Sequence, residues 1–401
     1  MAPSSETLEP SEETLREVVF HLAAMHRPPC SEGEREAAEW IAMRLRAAGA
    51  DQAEVEDAPS WGSFPPLITC LSLFSALGAA LSLKGRRGKG AAISALALAG
   101  YIDEIQNGPR LFRRALKRKR TTANVVAKAG DPEATATLVI AAHHDAAQTG
   151  FMFDQTAVAA FHKRFPTVIP HIKTQPPQWW GALGGPVLGL LGAITGRRGL
   201  AKAGLVLGLG GAVVVGDMWR SETVPGANDN LTAVGVQVAI AEMLREQPIP
   251  GLRVWFVSAG AEETLQDGIR GFFERHGDEL DPASTWYLNL DTVGSPRLMM
   301  LEGEGPVWME DYDKGFRDRL MELADEKGLA LERGFRARAS PDAVIAHRAG
   351  IRTANLSSVN DYHNLSNYHL PSDTAENVDY STVVEATRVA WALAEDLAST
   401  E

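Results

Sequence analysis

The sequence predicts an α/β protein with a mixed, mainly parallel central sheet that is flanked by helices and interrupted by two hydrophobic helical hairpins. Short β-forming runs alternate with longer segments of helical periodicity, which is typical of a sheet covered on both faces. Two long uncharged stretches break this alternation. Acidic and imidazole side chains follow the ends of several predicted strands, where open α/β sheets place their chemistry.

The first sixty residues predict two helices that serve as scaffold. Beyond a polar tail, the apolar residues from Leu15 to Leu22 have helical spacing. A second helix begins at Ser31, where residues Ser31 to Glu34 match a capping box, and it ends at Gly49.

The remaining elements of the α/β pattern lie between and after the uncharged stretches. Strands are predicted at Thr122–Lys128, Thr135–Ala142, Arg253–Ser258 and Thr285–Asp291. Helices are predicted at Leu231–Arg245, near Asp311–Lys327, and at about Ser381–Leu397.

The two uncharged stretches predict hairpins that share one pattern. Gly62 to Leu83 is followed by a basic tip and by a shorter apolar run that ends at Ile102. Thr174 to Gly196 is likewise followed by a basic tip and a shorter apolar run, which suggests an internal repeat. We therefore divide the chain into a catalytic domain (1–60, 121–173 and 218–401), a first insertion with a basic stretch (61–120) and a second insertion (174–217).

The hairpins predict contact with membrane lipid through residues 62–102 and 174–217. Tryptophans at their ends and glycines at four-residue spacing are typical of helices in a bilayer. The short arms reach only ~20 Å against the ~30 Å of a hydrocarbon core, which favours a hairpin that dips into one leaflet. The alternative is that the hairpins are soluble helices, buried against the enzyme or in a homo-oligomer interface.

Charge and cysteine content narrow the partners and the compartment. The chain has 39 basic and 51 acidic residues and a formal charge of −12, which argues against nucleic acid as a partner. Cys30 and Cys70 suggest neither a disulfide framework nor a CxxC site. The N-terminus lacks the features of a signal peptide. The basic run Arg110–Arg120 favours a cytoplasmic, membrane-associated catalytic domain, whereas the basic hairpin tips argue for the opposite orientation.

The stretch from Arg253 to Gly271 carries the clearest chemical signal. A buried strand breaks at Gly260, and two adjacent carboxylates follow, Glu262 and Glu263. Neighbouring side chains on a turn point in different directions, so one glutamate can bind a metal while the other faces the substrate. This arrangement predicts a metal-assisted hydrolase with a general base.

Further candidate ligands lie at the ends of other predicted elements. His143 follows a strand, Asp229 precedes a helix, Asp291 closes a strand, and His369 lies in a turn-rich loop. Each residue alone has an ordinary structural explanation. Together they form a nitrogen and oxygen ligand set that suits zinc.

The ordered series HHD, GANDN, AEET, NLD and NYHLPSDT resembles the di-zinc exopeptidases of metallopeptidase family twenty-eight. That family includes bacterial aminopeptidases, glutamate carboxypeptidase II and glutaminyl cyclase. The resemblance covers roughly residues 10–60 and 120–400 and leaves out the hairpins. It implies a zinc-peptidase-like fold and two Zn²⁺ ions per chain, held by His143, Asp229, Glu263, Asp291 and His369.

The resemblance also implies a role for each matching residue. Asp229 would bridge the ions, with His143 and Asp291 on the first ion and Glu263 and His369 on the second. In the same comparison Glu262 would be the general base, and Asp145 would orient the His143 imidazole. The adjacent His144 has no matching role and is expected to pack. Ser340-Pro341-Asp342 and Tyr368 match weaker positions near the substrate pocket, with Tyr368 either an oxyanion donor or a packed aromatic.

The resemblance implies an aminopeptidase that hydrolyses N-terminal residues from peptides through a water between the metals. The alternatives are a glutaminyl-cyclase-like acyltransferase with one zinc, a carboxypeptidase, and a non-catalytic membrane scaffold. The chain departs from the family in one respect, because the second hairpin separates His143 from Asp229. We therefore expect the hairpins to dock on a membrane or to wall the pocket.

Overall fold

A mixed β-sheet forms the centre of the protein. The computed structural model describes residues 8–175, 179–339 and 341–399, and within these residues the sheet has nine strands. The strands are β1 Gln52–Ser60, β2 Arg120–Gly130, β3 Ala136–His143, β4 Leu252–Ala259, β5 Thr285–Leu290, β6 Arg297–Glu304, β7 Glu310–Asp311, β8 Glu332–Ala337 and β9 Arg352–Val359. Their order is β1-β2-β4-β3-β5-β9-β6-β7, with β8 paired to β6.

The predicted α/β class is confirmed, and parallel pairing is concentrated at the centre of the sheet. Strands β4, β3, β5 and β9 are mutually parallel, whereas β1, β2, β6 and β7 pair antiparallel towards the edges. The four predicted strands correspond to β2, β3, β4 and β5. The sequence patterns did not reveal the others, since β1 and β6 carry acidic residues and β9 is rich in polar residues.

Helices cover both faces of the sheet. They are α1 Glu12–Ala23, α2 Glu32–Ala48, α3 Pro65–Leu83, α4 Arg87–Ile105, α5 Leu111–Leu116, α6 Thr156–Arg164, α7 Trp180–Thr195, α8 Arg198–Arg220, α9 Thr232–Glu246, α10 Asp267–His276, α11 Lys314–Lys327, α12 Ala343–Arg348 and α13 Tyr380–Ser399. Alternate residues of β3 serve opposite faces. Leu138 and Ile140 pack in the core formed with α1, α2, α9, α11 and α13, whereas Val139 and Ala141 pack towards α10 and α12.

The predicted hairpins are the helix pairs α3–α4 and α7–α8, which pack together as a four-helix bundle. Their tips meet, since Arg87 Nε donates to the Ala193 carbonyl at 2.8 Å and Arg198 Nη1 donates to the Leu83 carbonyl at 3.2 Å. The segment before α7 includes residues 176–178, which lie outside the described residues. The division of the chain into three segments remains a prediction.

The expectation that the second arm of each hairpin is short was wrong, because α4 and α8 begin within the basic tips. Helix α4 has 19 residues and α8 has 23, which correspond to about 28 and about 34 Å at the helical rise. Basic residues such as Arg87 and Arg198 form the first turns of these helices. Helices α3 and α8 are therefore long enough to cross a bilayer, whereas α7, with 16 residues and about 24 Å, is shorter than a ~30 Å hydrocarbon core.

Small residues allow the bundle helices to approach closely. A Cβ atom on Gly204 would lie 2.5 Å from the Gly189 nitrogen, and one on Gly192 would lie 2.5 Å from the Ala201 nitrogen. Contacts this short leave no room for a side chain. The glycine spacing predicted from the sequence thus marks real points of helix contact.

The outer face of the bundle is apolar and exposed. Exposed side chains on it include Leu73, Phe74, Leu77, Leu96, Leu191, Ile194, Val206, Leu209 and Val213. By length and composition alone, α3 and α8 are able to cross a membrane, although a buried helix of a soluble protein passes the same test. Only 28% of the apolar window of α8 is buried within the chain.

The basic run after the first hairpin anchors the bundle to the catalytic domain. Arg110 and Arg113 are buried. Arg110 Nη1 lies 2.6 Å from Asp267 Oδ1, and Arg113 Nη2 lies 2.6 Å from Glu104 Oε1. These two arginines are therefore not free positive charges, and the expectation of a cytoplasmic catalytic domain loses part of its basis.

We predict that Gly204→Ala lowers the melting temperature of the purified protein in detergent. The added methyl group meets backbone atoms, and overpacking of this kind costs about 1–3 kcal/mol of unfolding free energy. The matched control is Gly210→Ala on the same helix, where a Cβ atom meets nothing within 4 Å. The control is expected to be neutral or slightly stabilising because alanine favours the helix. Equal melting temperatures for the two variants would contradict the packing described here.

Candidate active site

The candidate ligands converge at the carboxyl edge of the parallel strands. His143 is the last residue of β3, and Asp291 directly follows β5. Glu262 and Glu263 lie in the turn after β4. The structure thus brings side chains from separate predicted elements to one edge of the sheet, as open α/β folds do. Asp229, before α9, and His369, between β9 and α13, complete the cluster.

Asp229 lies between the two imidazoles. Its Oδ1 atom is 3.2 Å from His143 Nε2, and its Oδ2 atom is 3.1 Å from His369 Nε2. Glu263 Oε1 lies 3.3 Å from His369 Nε2, while Glu262 Oε2 lies 4.0 Å from His143 Nε2. The two adjacent glutamates therefore point to different histidines.

Three overlapping groups of side chains could each hold a metal ion. They are His143 with Asp229 and Asp291, Asp229 with Glu263 and His369, and His143 with Glu262 and Glu263; within each group, the ligand atoms lie within 4.8 Å of one another. The first two groups share only Asp229. This geometry matches one bridging carboxylate with a separate histidine and carboxylate on either side.

The electrostatics of the cluster favour bound cations. Burial raises the pKa of Glu262 well above its ordinary value, and the neighbouring Glu263 adds to this effect. Burial and the nearby Asp229 also raise the pKa of Asp291. Burial alone would lower the pKa of His369, but Glu263 and Asp229 raise it to about 10. The site thus stabilises positive charge on His369 and destabilises negative charge on Glu262 and Asp291.

Unsatisfied ligand atoms support the same conclusion. Asp229 Oδ2 and Glu263 Oε1 are buried and make no hydrogen bond of proper geometry among the described residues, although both face His369 Nε2. Buried oxygens of this kind normally have a partner. Imidazole and carboxylate groups are ordinary zinc ligands, so the residues fit a pair of zinc ions.

Asp145 organises both sides of the site. Its Oδ1 atom lies 3.5 Å from His143 Nδ1, which places it behind the imidazole as predicted. The same carboxylate also accepts hydrogen bonds from the Glu262 and Glu263 backbone nitrogens, both at 3.0 Å. Asp145 therefore fixes the glutamate turn as well as the histidine, which the sequence did not indicate.

The glutamate turn has an unusual backbone. Ala261, Leu265 and Gln266 have φ angles of 49°, 69° and 66°, in the left-handed region that non-glycine residues rarely adopt. Such conformations persist only where surrounding contacts fix them, and they are often found at functional sites.

Glu34 is a site residue that the sequence analysis misassigned. The Ser31 hydroxyl caps α2 as predicted, but the Glu34 carboxylate does not complete a capping box. Its Oε1 atom accepts hydrogen bonds from the Ala261 nitrogen and the Thr122 hydroxyl, each at 2.8 Å. Burial raises the pKa of this carboxyl to about 8. Glu34 thus holds the start of the glutamate turn from a helix far away in sequence.

Arg27 and Asp373 are two further residues that the sequence did not reveal as part of the site. The buried Arg27 guanidinium donates to the His144 carbonyl at 2.9 Å and to the Pro225 carbonyl at 2.8 Å, so it connects two ligand-bearing loops. The Asp373 carboxylate accepts from the Asn228 and Asp229 nitrogens at 2.8 and 3.1 Å. Asp373 belongs to the NYHLPSDT motif, which was the one available signal.

The first insertion is linked to the candidate base through Gln266. Gln266 Nε2 donates to Glu262 Oε1 at 3.2 Å, and Arg110 Nη2 donates to Gln266 Oε1 at 3.1 Å. Arg110 is therefore connected to the Glu262 carboxylate through one intermediate side chain.

The helical bundle forms one wall of the cavity that contains the cluster. Phe64 and Ile105 from the first hairpin, and Trp179 and Met218 from the second, line the cavity together with the ligands. The expectation that the hairpins wall the pocket agrees with this arrangement. Tyr368 also lines it and stacks on the His369 ring at 3.9 Å between centroids.

The weaker candidates have different environments. His144 is fully buried, its Nδ1 atom lies 2.9 Å from the Ser258 hydroxyl, and burial lowers its pKa to about 4, as expected of a packing residue. Asp342 is buried, and both carboxylate oxygens lack a hydrogen bond among the described residues. Ser340 lies outside the described residues.

Comparison with known proteins decides the family. The sequence model of peptidase family M28 matches residues 213–394. Residues 213–394 belong to peptidase family M28. This range includes Asp229, Glu262, Glu263, Asp291 and His369, whereas His143 and Asp145 precede it. The resemblance inferred from the motifs is confirmed, and the assignment supports a zinc metallopeptidase hydrolase. No curated protein matches the sequence.

Solved structures share the fold across almost the whole chain. A leucine aminopeptidase precursor from Bacteroides thetaiotaomicron has 13% identity and a TM-score of 0.55, with 97% of this chain and 98% of that chain covered. A glutaminyl cyclase from the same organism has 12% identity and a TM-score of 0.55, with 98% and 99% covered. A Zn-dependent exopeptidase from Parabacteroides distasonis has 12% identity and a TM-score of 0.54, with 97% and 99% covered. At these identities the likeness establishes the fold alone.

We predict that Glu34→Ala destabilises the protein and lowers any turnover. The substitution leaves the buried Ala261 nitrogen and Thr122 hydroxyl without an acceptor, which typically costs about 1–3 kcal/mol of unfolding free energy for each group. Urea unfolding of the variant measures this cost. The control is Glu36→Ala, an exposed position on the same helix, which should change the unfolding free energy by less than about 0.5 kcal/mol. An equal effect of both substitutions would contradict the role given to Glu34.

Proposed function

We propose that the protein is a di-zinc metallo-exopeptidase, most simply an aminopeptidase that removes N-terminal residues from peptides. The observation that carries this proposal is the Asp229 carboxylate, which has His143 on one oxygen and His369 on the other at 3.2 and 3.1 Å. A carboxylate shared by two imidazoles is the arrangement needed to bridge two metal ions.

In this proposal five side chains hold the two zinc ions. Asp229 would be shared between them, His143 and Asp291 would complete one site, and Glu263 and His369 would complete the other. When bound, two zinc ions acidify a water molecule, polarise the scissile carbonyl and stabilise the developing negative charge on its oxygen. The negative charge of these carboxylates would then be offset by the charge of the ions.

Glu262 is proposed to move the proton. It lies next to the ligand Glu263 but faces the opposite histidine, so its carboxylate is free to accept a proton from the attacking water. It then donates that proton to the amine that leaves when the peptide bond breaks. Asp145 holds Glu262 and His143 in a fixed relative position, because its carboxylate contacts both the backbone of the turn and the Nδ1 side of the imidazole.

The shape of the cavity supports an exopeptidase of short substrates. Bundle residues, including Phe64 and Trp179, close one side of the cavity, and Phe153 packs on the His369 ring at 4.4 Å between centroids. Apolar walls close to the ligands leave little space for a chain that extends in both directions. Short or apolar peptides are therefore the proposed substrates.

A glutaminyl-cyclase-like acyltransferase is the second candidate, and one observation favours it. Glutaminyl cyclases share the fold over nearly the full length of this chain. Glu263 and His369 lie beside Asp229 and could hold a second ion. This second set of ligands favours hydrolysis with two ions, because the cyclase alternative needs only one ion. A non-catalytic membrane scaffold would need none of these clustered ligands.

The bundle is proposed to insert in a membrane. Supporting observations are the apolar outer face, the helix lengths of 19 and 23 residues, and the half-exposed Trp180 and Trp219 at the end of the bundle near the cavity. The opposite end carries the basic tips, with Arg87 and Arg198 in the first turns of α4 and α8. Tryptophans and basic residues at the two ends of an apolar segment are typical of a bilayer span.

We predict that Glu262→Gln keeps two zinc ions per chain but lowers kcat for an aminoacyl-anilide by about 10²–10⁴-fold, the contribution typical of a general base. Metal content and turnover are measured on the same preparation. His369→Ala serves as the contrasting variant and should lose zinc as well as activity. Loss of zinc from Glu262→Gln would make Glu262 a ligand, and absence of zinc from the wild type after zinc is added back would favour the scaffold.

We predict that the wild-type protein floats with liposomes of neutral and anionic phospholipid. The triple variant Val206→Asp, Leu209→Asp and Val213→Asp should remain largely in the aqueous fraction, because a charge on a lipid-facing position costs about 2.5–3.5 kcal/mol on insertion scales. Glu262→Gln is the control and should float like the wild type. A wild-type protein that stays soluble in the presence of liposomes would refute the membrane proposal and favour an oligomer interface.

A further inference from the structure

Arg338 has an unusual position among the basic residues of the chain. It follows β8 and lines the same cavity as His143, Asp229 and His369. Among the described residues that line this cavity, it is the one lysine or arginine. The other charged groups of the lining are the candidate metal ligands and Glu262.

Arg338 also lacks the partner that neighbouring arginines have. Its Nε atom is buried and has no hydrogen bond, and its guanidinium forms no ion pair within residues 8–175, 179–339 and 341–399. Three arginines within ten residues of it in the sequence are paired with carboxylates: Arg333 with Glu302, Arg336 with Asp311, and Arg348 with Glu310. A partly buried guanidinium without an ionic partner costs free energy, and a bound anion would reduce that cost.

The position of the guanidinium is supported by the second hairpin. Its Cζ atom lies 5.2 Å from the centre of the Trp180 ring, which is a cation–π contact. The Trp180 indole is itself held by a hydrogen bond from Nε1 to the Pro306 carbonyl at 3.2 Å. The position of the Arg338 guanidinium is thus set by an aromatic ring that is itself held in place, and not by an acidic side chain.

Arg338 carries a positive charge that the other charged groups of the cavity do not balance. Asp229, Glu262, Glu263 and Asp291 supply four carboxylates, whose charge two divalent ions would offset. One positive charge then remains in the lining. It would complement a negative group on the molecule that fills the cavity.

We propose that Arg338 forms a subsite that binds a carboxylate of the peptide substrate. The inference rests on the proposed peptidase function and adds to it the class of substrate. An arginine presents paired N–H donors that match a carboxylate, and such charge-assisted contacts are among the stronger hydrogen bonds. The carboxylate comes either from the C-terminus of a short peptide or from an acidic side chain, so the substrates are dipeptides and similarly short peptides or acidic peptides.

The test compares three substrates that share an N-terminal leucine. They are Leu-Ala with a free carboxylate, the C-terminal amide of Leu-Ala, and the C-terminal amide of Leu-Glu. The wild type should have a kcat/KM at least ten-fold higher for one or both carboxylate-bearing substrates than for the Leu-Ala amide. Preference for Leu-Ala identifies the terminal carboxylate, and preference for the Leu-Glu amide identifies the side chain.

Arg338→Gln should lower kcat/KM for the preferred substrate by about 10–100-fold and leave the Leu-Ala amide within about two-fold, since only the charged contact is lost. Arg338→Lys should recover part of this loss. The matched control is Arg336→Gln, which alters an arginine already paired with Asp311, and it should leave all three values unchanged. Equal losses on charged and neutral substrates would overturn the subsite.

A binding measurement separates this inference from the proposed function. In the Glu262→Gln background, calorimetric titration should show at least ten-fold tighter binding of Leu-Ala or Leu-Glu amide than of Leu-Ala amide, and adding Arg338→Gln should remove the difference. If carboxylate binding is retained but the wild type hydrolyses none of the substrates, the peptidase proposal fails and the subsite stands. If the neutral amide is hydrolysed and bound as well as the others, the subsite fails and the peptidase stands.

Discussion

The mutual repulsion of buried carboxylates at one sheet edge is the constraint on which the site depends. Asp229, Glu262, Glu263 and Asp291 come from three separate segments, and burial raises the pKa of three of them, the exception being Asp229, which the two histidines stabilise in its charged form. A cluster of this kind is stable only with positive charge inside it. Metal ions held by these residues would supply such charge, and metal binding would then be coupled to the stability of the strand ends.

The second requirement is a rigid framework for these groups. The glutamate turn has three non-glycine residues in left-handed conformations, and it is held by Asp145 on one side and by Glu34 on the other. Arg27 fixes the loops that carry His143 and Asp229 through backbone carbonyls. Because Glu34 lies on α2 and Arg27 lies between α1 and α2, the first helix pair of the chain contributes to positioning as well as to the core.

The sequence predicted the groups whose chemistry is local and failed where the role depends on tertiary contact. His143, Asp229, Asp291 and His369 could be found because each follows or precedes a recognisable element and belongs to an ordered motif. Glu34 also fits a capping pattern that is common in surface helices. Its hydrogen bond from the Ala261 nitrogen, more than two hundred residues away, could therefore not be predicted from the neighbouring sequence. The strands β1, β6 and β9 were missed because their polar and acidic residues are paired or covered only in the folded sheet. The hairpin arms were judged too short because charged residues such as Arg87 were assigned to a turn, although exposed basic residues are compatible with a helix start.

The bundle helps to form the candidate site. Its second hairpin enters the chain between the strand that carries His143 and the segment that carries Asp229, so the base of that hairpin lies near the candidate ligands. From there the bundle contributes cavity walls, the Trp180 ring beneath Arg338, and the Arg110–Gln266 contact to Glu262. The proposed membrane insertion and the proposed selectivity for short peptides would both depend on this bundle, because it has an apolar outer face and also lines the cavity.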